Sequence, residues 1–180
     1  WGDGRFGATG EAVLADGGAA PPVRTIQGLT GVTQLSAGGA TTCARLGDGT
    51  VRCWGSNQYG QLGLDGATPT SDTLDHPVPS EVALKESVTR IEVGPRVACA
   101  VLASGKVACW GENYQQQIAR PGTAVSVPSE LDLGGFAITS VHVGSGTTFG
   151  ITAQGGVASW GAVNGRPGVI GGRLASLSPD

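Results

Sequence analysis

The sequence contains little charge and no long apolar stretch. Asp, Glu, Lys and Arg make up 14% of the 180 residues, and the formal net charge is −3. Proteins that bind nucleic acid use clustered Lys and Arg to neutralise phosphates, so a direct nucleic-acid ligand is not expected. No apolar run reaches the roughly eighteen residues that a membrane-spanning helix requires. We therefore expect no membrane insertion.

Motifs for catalysis and metal binding are also missing. The two histidines, His76 and His142, have no second His or Cys at ligand spacing. There is no Cys-x-x-Cys pair, no Gly-Lys-Ser/Thr of a phosphate-binding loop and no Gly-x-Ser-x-Gly turn. We expect no catalytic residue, no metal and no cofactor, and hence a protein that is not an enzyme.

Methionine is absent, and the chain opens at Trp1 inside a motif that recurs later. We expect the 180 residues to be part of a longer precursor or a processed product. Glycine, by contrast, is abundant, at 32 of the 180 residues, where an average protein has about 7%. Because these glycines follow no Gly-X-Y period, they are predicted to mark turns rather than a collagen helix.

An internal repeat organises the chain. All four tryptophans precede a glycine, at Trp1, Trp54, Trp110 and Trp160. Upstream of the last three Trp-Gly pairs one pattern returns without a gap, as VTQLSAGGATTCARLGDGTVRCWG, VTRIEVGPRVACAVLASGKVACWG and ITSVHVGSGTTFGITAQGGVASWG. Self-similarity of this length indicates a repeat architecture.

Short alternating apolar runs within each copy predict β-strands rather than helices. Gly49, Gly105 and Gly155 fall at the same place in the three copies. A three-residue hairpin loop requires a positive φ at such a position, which glycine adopts without strain. Each copy is therefore predicted to contain a β-hairpin centred near residue 48, 104 or 154.

These hairpins place the cysteines in pairs. Cys43 is predicted to lie opposite Cys53, and Cys99 opposite Cys109, at a separation that suits a disulfide. The third copy has Phe149 and Ser159 at the two positions, so both members of the pair are lost together. Two disulfides are the favoured interpretation and indicate an oxidising compartment. The alternative is four small core thiols in a reducing compartment.

The string DGTVRCWGSNQYGQLG, residues 48–63, resembles the signature of the regulator of chromosome condensation repeats, and SGKVACWGENYQQQI, residues 104–118, is similar to it. The resemblance implies a β-propeller, usually of seven blades with four antiparallel strands each, that serves as a platform for protein partners. The cysteine-bearing copies are similar to a bacterial secreted branch, which includes inhibitors that cover an enzyme's active site with propeller loops.

On this basis the chain is predicted to be all-β, a single propeller segment spanning 1–180 with about three and a half blades. The predicted blades are 1–31 (partial), 32–87, 88–137 and 138–180. The first and last Trp-Gly segments, WGDGRFGATG and WGAVNGRPGVIGG, lack the full turn signature, so irregular outer connections are expected there. The Pro-, Ser- and Thr-rich segments 64–87 and 119–135 are predicted to be surface loops.

A partial ring leaves two sheet edges open. Unpaired backbone groups at such edges invite pairing with another strand, so something is expected to cover them. Further blades of a longer chain are the preferred cover, and a second chain is the alternative. Tryptophan at one repeated position is interpreted as packing between blades rather than as a ligand platform.

The segments after each Trp-Gly pair are the predicted partner-binding loops, because a propeller presents them together on one side. Tyr, Arg and Asn are frequent in interfaces. Asn57 and Asn113 have the equally weighted alternative of fixing turns. The candidate residues are Arg5, Phe6, Asn57, Tyr59, Asn113, Tyr114, Asn164 and Arg166.

The predicted function is a non-catalytic protein-binding propeller module that is secreted, periplasmic or on the cell surface. The alternative is a structural subunit or domain of a larger extracellular assembly. A nucleotide-exchange factor for a small GTPase, the activity of the family's eukaryotic founder, is a weaker hypothesis, because no catalytic residue set can be recognised and fold alone does not transfer an activity.

Overall fold

The computed structural model describes residues 4–11, 25–64, 71–163 and 166–167. Nearly all of the regular structure in these ranges is β-strand, together with one 3-10 helical turn at Arg5–Gly7. The strands form three four-stranded antiparallel sheets. The predicted all-β fold, a partial propeller of four-stranded blades, is confirmed.

In each sheet the strands follow in chain order from the inside outwards. The first sheet, blade 1, contains β1 (Val32–Gly38), β2 (Thr41–Leu46), β3 (Val51–Gly55) and β4 (His76–Glu81). Blade 2 contains β5 (Val88–Val93), β6 (Val97–Leu102), β7 (Val107–Glu112) and β8 (Ala124–Glu130). Blade 3 contains β9 (Ile138–Val143), β10 (Thr147–Thr152), β11 (Val157–Val163) and β12 (Arg166–Pro167).

The prediction that 64–87 and 119–135 are loops is wrong in part, because β4 and β8 lie inside them. Prolines such as Pro77, Pro79 and Pro128 hid these strands, since proline cannot donate a ladder hydrogen bond. An edge strand tolerates proline where the missing donor would face outwards. Both strands are the outermost of their sheets.

The predicted hairpins are present in the predicted register. Gly49, Gly105 and Gly155 have φ values of 86°, 80° and 82°. Cys43 pairs with Cys53 across β2 and β3, and Cys99 pairs with Cys109 across β6 and β7. Both cysteine pairs are joined as disulfides, with Cα atoms 4.1 Å apart in each.

Neighbouring blades meet through their inner strands. The side-chain amide of Gln34 on β1 donates to the Ile91 carbonyl at 2.8 Å and accepts from the Ile91 N–H at 3.1 Å. The Ser36 hydroxyl accepts from Val93 N–H at 2.9 Å. The hairpin carbonyls of blades 1 and 2 also accept from the next inner strand, with Val88 N to Gly49 O and Ile138 N to Gly105 O both at 2.8 Å.

Two apolar clusters fill the spaces between the blades. Trp110 lies in the first with residues of blade 1, and Trp160 lies in the second with residues of blade 2. The Trp110 Nε1–H donates to the Gln61 carbonyl of blade 1 at 2.9 Å. The interpretation of the tryptophans as inter-blade packing is confirmed for Trp110 and Trp160 by these contacts.

Among the described residues, no helix is long and apolar enough to cross a membrane. The three sheets fall inside the predicted ranges 32–87, 88–137 and 138–180. The division of the chain into domains stays a prediction.

Candidate functional site

The loops that follow each Trp-Gly pair lie at one end of the sheets, beside the turns that join the first two strands of each blade. We call this surface the rim and define it as residues 4–10, 38–40, 56–63, 94–96, 113–119 and 144–146. At the opposite end lie the β2–β3, β6–β7 and β10–β11 hairpins. The strands thus hold a set of loops from successive blades on one rigid edge.

Buried side-chain amides fix the shape of the rim loop of blade 1. The Asn57 side-chain oxygen accepts from the Leu62 N–H at 3.3 Å, and the Gln61 side-chain oxygen accepts from the Tyr59 N–H at 2.8 Å. Asn57 and Gln61 are both buried. Buried amides that bond the backbone of their own loop fix its shape.

Blade 2 repeats these side-chain amide contacts. Asn113 accepts from the Ile118 N–H at 2.9 Å, and Gln117 accepts from the Gln115 N–H at 2.8 Å. The Asn113 side chain also donates to the carbonyls of Arg120 at 2.7 Å and Gly122 at 2.9 Å. The structure thus gives Asn57 and Asn113 the turn-fixing contacts that the sequence offered as their alternative role.

The first copy keeps the turn hydrogen bond without the asparagine, but its backbone departs at Phe6, which has a positive φ of 59° that the equivalent Tyr59 and Gln115 do not share. Residues 12–24 of the connection expected to be irregular lie outside the described residues. Gly7 N–H donates to Gly4 O at 3.0 Å, as Gly60 donates to Asn57 O at 3.0 Å and Gln116 to Asn113 O at 3.0 Å. Gly7, with a φ of 75°, adopts a conformation that glycine accommodates without strain. The last copy, WGAVNGRPGVIGG, lies mostly outside the described residues.

The exposed positions of these loops differ from copy to copy. Arg5, Gln58 and Tyr114 occupy one equivalent position, four residues after the tryptophan, and each is exposed. Phe6 and Tyr59 occupy the next position and are partly exposed. One loop geometry therefore presents different side chains on successive blades.

A charged cluster joins the rim loops of blades 1 and 2. Arg96 Nη1 lies 2.8 Å from Glu112 Oε1, and the guanidinium carbon lies 4.7 Å from the centroid of the Tyr59 ring. The Glu112 Oε2 accepts from the Gln117 amide at 3.4 Å. The hydrogen bond and charge of Glu112 raise the pKa of Arg96, with a smaller contribution from Tyr59. The guanidinium is therefore charged throughout the physiological range.

A second polar cluster fastens residues 71–76 against the rim. Asp72 Oδ1 lies 2.8 Å from His76 Nε2, and Asp72 Oδ2 accepts from the Asn57 amide at 3.2 Å. Burial acts to raise the pKa of Asp72, but hydrogen bonds from His76, the Leu74 N–H and Asn57 outweigh it, so the pKa lies below its ordinary value. Within the described ranges, no group of three or more His, Cys, Asp or Glu side chains is arranged to hold a metal.

Of the predicted partner-binding residues, Arg5, Phe6, Asn57, Tyr59, Asn113 and Tyr114 lie together at the rim. Asn164 and the side chain of Arg166 lie outside the described residues. Sequence reasoning missed Arg96 and Glu112. The signal was present, because a charged residue at 96 replaces the small Ala40 and Gly146 of the other copies.

The opposite end of blade 2 carries an open cavity of about 550 Å³ beside the β6–β7 hairpin. Lys106 lies on its wall, 2.9 Å from Glu130. The hydrogen bond and charge of Glu130 raise the pKa of Lys106. This ion pair lies at the end of blade 2 that is opposite the rim.

Comparison with known proteins identifies the repeat. Residues 32–61 and 48–101 match the regulator of chromosome condensation (RCC1) repeat. The chain is 30% identical over 166 residues to the human E3 ubiquitin-protein ligase HERC2, covering 90% of the chain and 3% of that protein. It is 31% identical over 113 residues to the ultraviolet-B receptor UVR8 of Arabidopsis thaliana, covering 62% of the chain and 24% of the receptor.

Solved structures agree in fold. Human WBSCR16 superposes with a TM-score of 0.82 at 21% identity, over 96% of this chain and 45% of the other. The structure of Kap60 bound to yeast RCC1 (Prp20) gives a TM-score of 0.77 at 22% identity, over 89% of this chain and 38% of the matched one. The chain thus spans less than half the length of each of these relatives.

Three consecutive four-stranded blades, each with a Trp-Gly pair, define a propeller segment of the RCC1 type. The chain belongs to the regulator of chromosome condensation repeat family.

Proposed function

We propose that this chain is a non-catalytic, protein-binding propeller segment whose rim loops contact the partner. The observation that carries the proposal is that buried side chains fix the backbone of each loop while its exposed side chains vary. Buried amides such as Asn57 and Asn113 hold one backbone shape, while the exposed positions carry Gln58 in blade 1 and Tyr114 in blade 2. A rigid loop with varied exposed side chains suits recognition, because little conformational entropy is lost on binding.

The relatives support a protein partner. One solved relative is yeast RCC1 (Prp20) bound to Kap60, and another study of Prp20p concerns its binding to Gsp1p and histones. Two further relatives, the E3 ubiquitin-protein ligase HERC2 and the ultraviolet-B receptor UVR8, are named for different activities. Since one fold serves several functions, we assign partner choice to the rim side chains rather than to the fold.

We further propose a secreted, periplasmic or cell-surface location. The support is the pair of disulfides, which persist in oxidising compartments and are rare in reducing ones. Intact mass spectrometry of natural material without reductant tests this. We expect a mass about 4 Da below that of the fully reduced chain, because each bond removes two hydrogens. A fully reduced mass would contradict it.

Two apolar faces support a further blade at each end of the segment. Phe149, Ile151 and Val157 of blade 3 are exposed, although their equivalents in blade 2 are buried against blade 3. Leu35 of blade 1 is exposed in the same way. The blade-to-blade contact already seen twice in this chain would continue across both faces, and we propose that further blades of a longer polypeptide supply it.

The mass of the natural polypeptide tests this part of the proposal. We expect it to exceed the 17.9 kDa of these 180 residues. A 17.9 kDa species that is monomeric in native mass spectrometry would contradict the further blades, and a dimer of that species would instead identify a second copy as the cover.

Site-specific photo-crosslinking tests the rim. Replacing Tyr114 by p-benzoylphenylalanine keeps an aromatic ring at an exposed rim position. We expect an adduct with a defined protein in the extracellular or envelope fraction of the natural source. The matched control places the same group at Ser104, an exposed residue of the opposite hairpin. Adducts of equal yield at both positions would contradict the proposal.

A further inference from the structure

We propose that Arg96 is the anchor of the rim, a preorganised site for an Asp or Glu carboxylate on the surface of a protein partner. The inference rests on the proposed function, since it names the chemistry that the rim selects. Glu112 holds Arg96 through an ion pair within blade 2, and the ring of Tyr59 in the neighbouring blade 1 contacts the Arg96 guanidinium.

The two members of the ion pair differ in their exposure to solvent. The Arg96 side chain is 51% exposed, whereas that of Glu112 is 10% exposed. Glu112 is engaged on both oxygens, by Arg96 and by the Gln117 amide. The anionic member is therefore directed into the protein, and the cationic member is presented to solvent.

The fold does not require this pair. In blade 2 the Glu112 N–H donates to the Arg96 carbonyl at 2.9 Å. In blade 1 the equivalent Ser56 N–H donates to the Ala40 carbonyl at 2.8 Å, with no charged side chain at either position. The turn forms equally well with small residues, so the charges at Arg96 and Glu112 are free to serve recognition.

Arg96 keeps unused hydrogen-bonding capacity. A guanidinium carries five N–H donors in a planar fork, and among the described residues Glu112 is its hydrogen-bond acceptor. The fork matches a carboxylate in a bidentate geometry that lysine cannot reproduce. Stacking on Tyr59 and the bond to Glu112 hold the side chain in place, so less rotamer freedom is lost on binding.

Selection of binders tests the chemistry without a known natural partner. A small displayed scaffold with randomised loops is selected against the whole 180-residue chain, and binders blocked by Tyr114→Ala are kept as rim binders. We expect these binders to contain an Asp or Glu whose replacement by Asn or Gln weakens binding at least about tenfold.

The variants of the chain separate charge from structure. Arg96→Gln retains a donor for Glu112 but removes the charge, and we expect it to weaken the rim binders at least about tenfold. Arg96→Lys keeps the charge without the fork and should also weaken them, though less. Lys106→Ala, which removes the cation of the ion pair at the opposite end, should leave binding unchanged.

The outcomes distinguish the two levels of the proposal. Rim binders that lose affinity with Tyr114→Ala but are indifferent to Arg96→Gln would overturn the anchor and leave the rim function standing. A selection in which no binder responds to Tyr114→Ala would overturn the rim function as well. Unchanged thermal unfolding of Arg96→Gln confirms that lost binding is not lost folding.

Discussion

The junction between blades 2 and 3 and the outer face of blade 3 contain the same repeat positions in opposite environments. Val101 and Val107 of blade 2 are 1% and 0% exposed, whereas the equivalent Ile151 and Val157 of blade 3 are 39% and 37% exposed. The strands have the same register in both sheets. What differs is the presence of a following blade.

The inner strands give the same comparison from the other side. Ile91 is fully buried against blade 1, and its equivalent Leu35 in blade 1 is 62% exposed. Repeats of this kind bury their apolar faces against their neighbours. The apolar core of the described residues therefore lies between adjacent blades rather than within any single sheet.

The largest expected effect comes from truncating these two inner-strand residues. Ile91→Ala removes a fully buried side chain and should lower the free energy of unfolding by about 2–5 kcal/mol, because a cavity adds to the lost burial. Leu35→Ala removes a side chain that already faces solvent and should change it by less than about 0.5 kcal/mol. Urea unfolding followed by tryptophan fluorescence measures both.

Equal losses for the two variants would show that Leu35 is covered in solution, contrary to its exposure in the structure. Ile91→Val serves as the control for Ile91→Ala, because removing a single methylene should cost only about 0.5–1.5 kcal/mol.

The disulfides provide a second contrast between blades 2 and 3. Replacing Cys99 and Cys109 by serine opens a loop with a sequence separation of 10, which the chain-entropy relation values at about 2–3 kcal/mol. Phe149 and Ser159 pair directly in the same register of blade 3. The double variant Phe149→Cys with Ser159→Cys should therefore form a third bridge and raise the unfolding free energy by up to about 2 kcal/mol.

Intact mass with and without reductant shows whether the new bridge forms, and reductant should abolish the stability gain. A single Phe149→Cys variant controls for the loss of the phenyl ring. Failure of the double variant to oxidise would contradict the shared hairpin geometry of the two blades.

Much of the fold followed from the sequence because the repeat carries local signals. Trp110 marked the blade junction, Gly105 the hairpin loop, and the numbering of Cys99 and Cys109 gave the register. These features depend on residues near one another in the chain. The fourth strands were missed, because an edge strand needs few apolar residues and tolerates proline at positions such as Pro128.

The site was predicted less completely, for a different reason. The sequence placed Tyr59 and Tyr114 on rim loops, but Arg96 meets Tyr59 only because two blades pack side by side. A contact between residues of different repeats depends on the distance and angle between blades. Those quantities are set by tertiary packing and have no local sequence signal.

A smaller effect should come from the rim turns of blades 1 and 2. Gly60 and Gly63 have φ values of 75° and 63°, and the equivalent Gln116 and Ala119 of blade 2 have 55° and 51°. A side chain at positive φ costs about 1 kcal/mol relative to glycine. Gln116→Gly should therefore stabilise the protein by up to about 1 kcal/mol, measured by thermal unfolding, because Gln116 is only partly buried. Ala100→Gly, a change in the middle of buried β6, is the control and should destabilise it; a loss of stability with Gln116→Gly would contradict the assigned backbone conformation.

The smallest expected effect concerns the hydrogen bond from the Asn57 amide to Asp72 in blade 1. In blade 2 the equivalent amide of Asn113 donates to the backbone carbonyls of Arg120 and Gly122 instead. Because the pKa of Asp72 is lowered in the folded state, its contribution to stability is complete above the ordinary value of 3.8 and is lost as the pH falls below it. Asp72→Asn should therefore flatten the stability profile between about pH 5 and pH 3, with a change below about 1 kcal/mol. The exposed neighbour Asp75 supplies the control. If Asp75→Asn altered the profile as much as Asp72→Asn, the acid dependence would reflect general charge and not the bonds to Asn57 and His76.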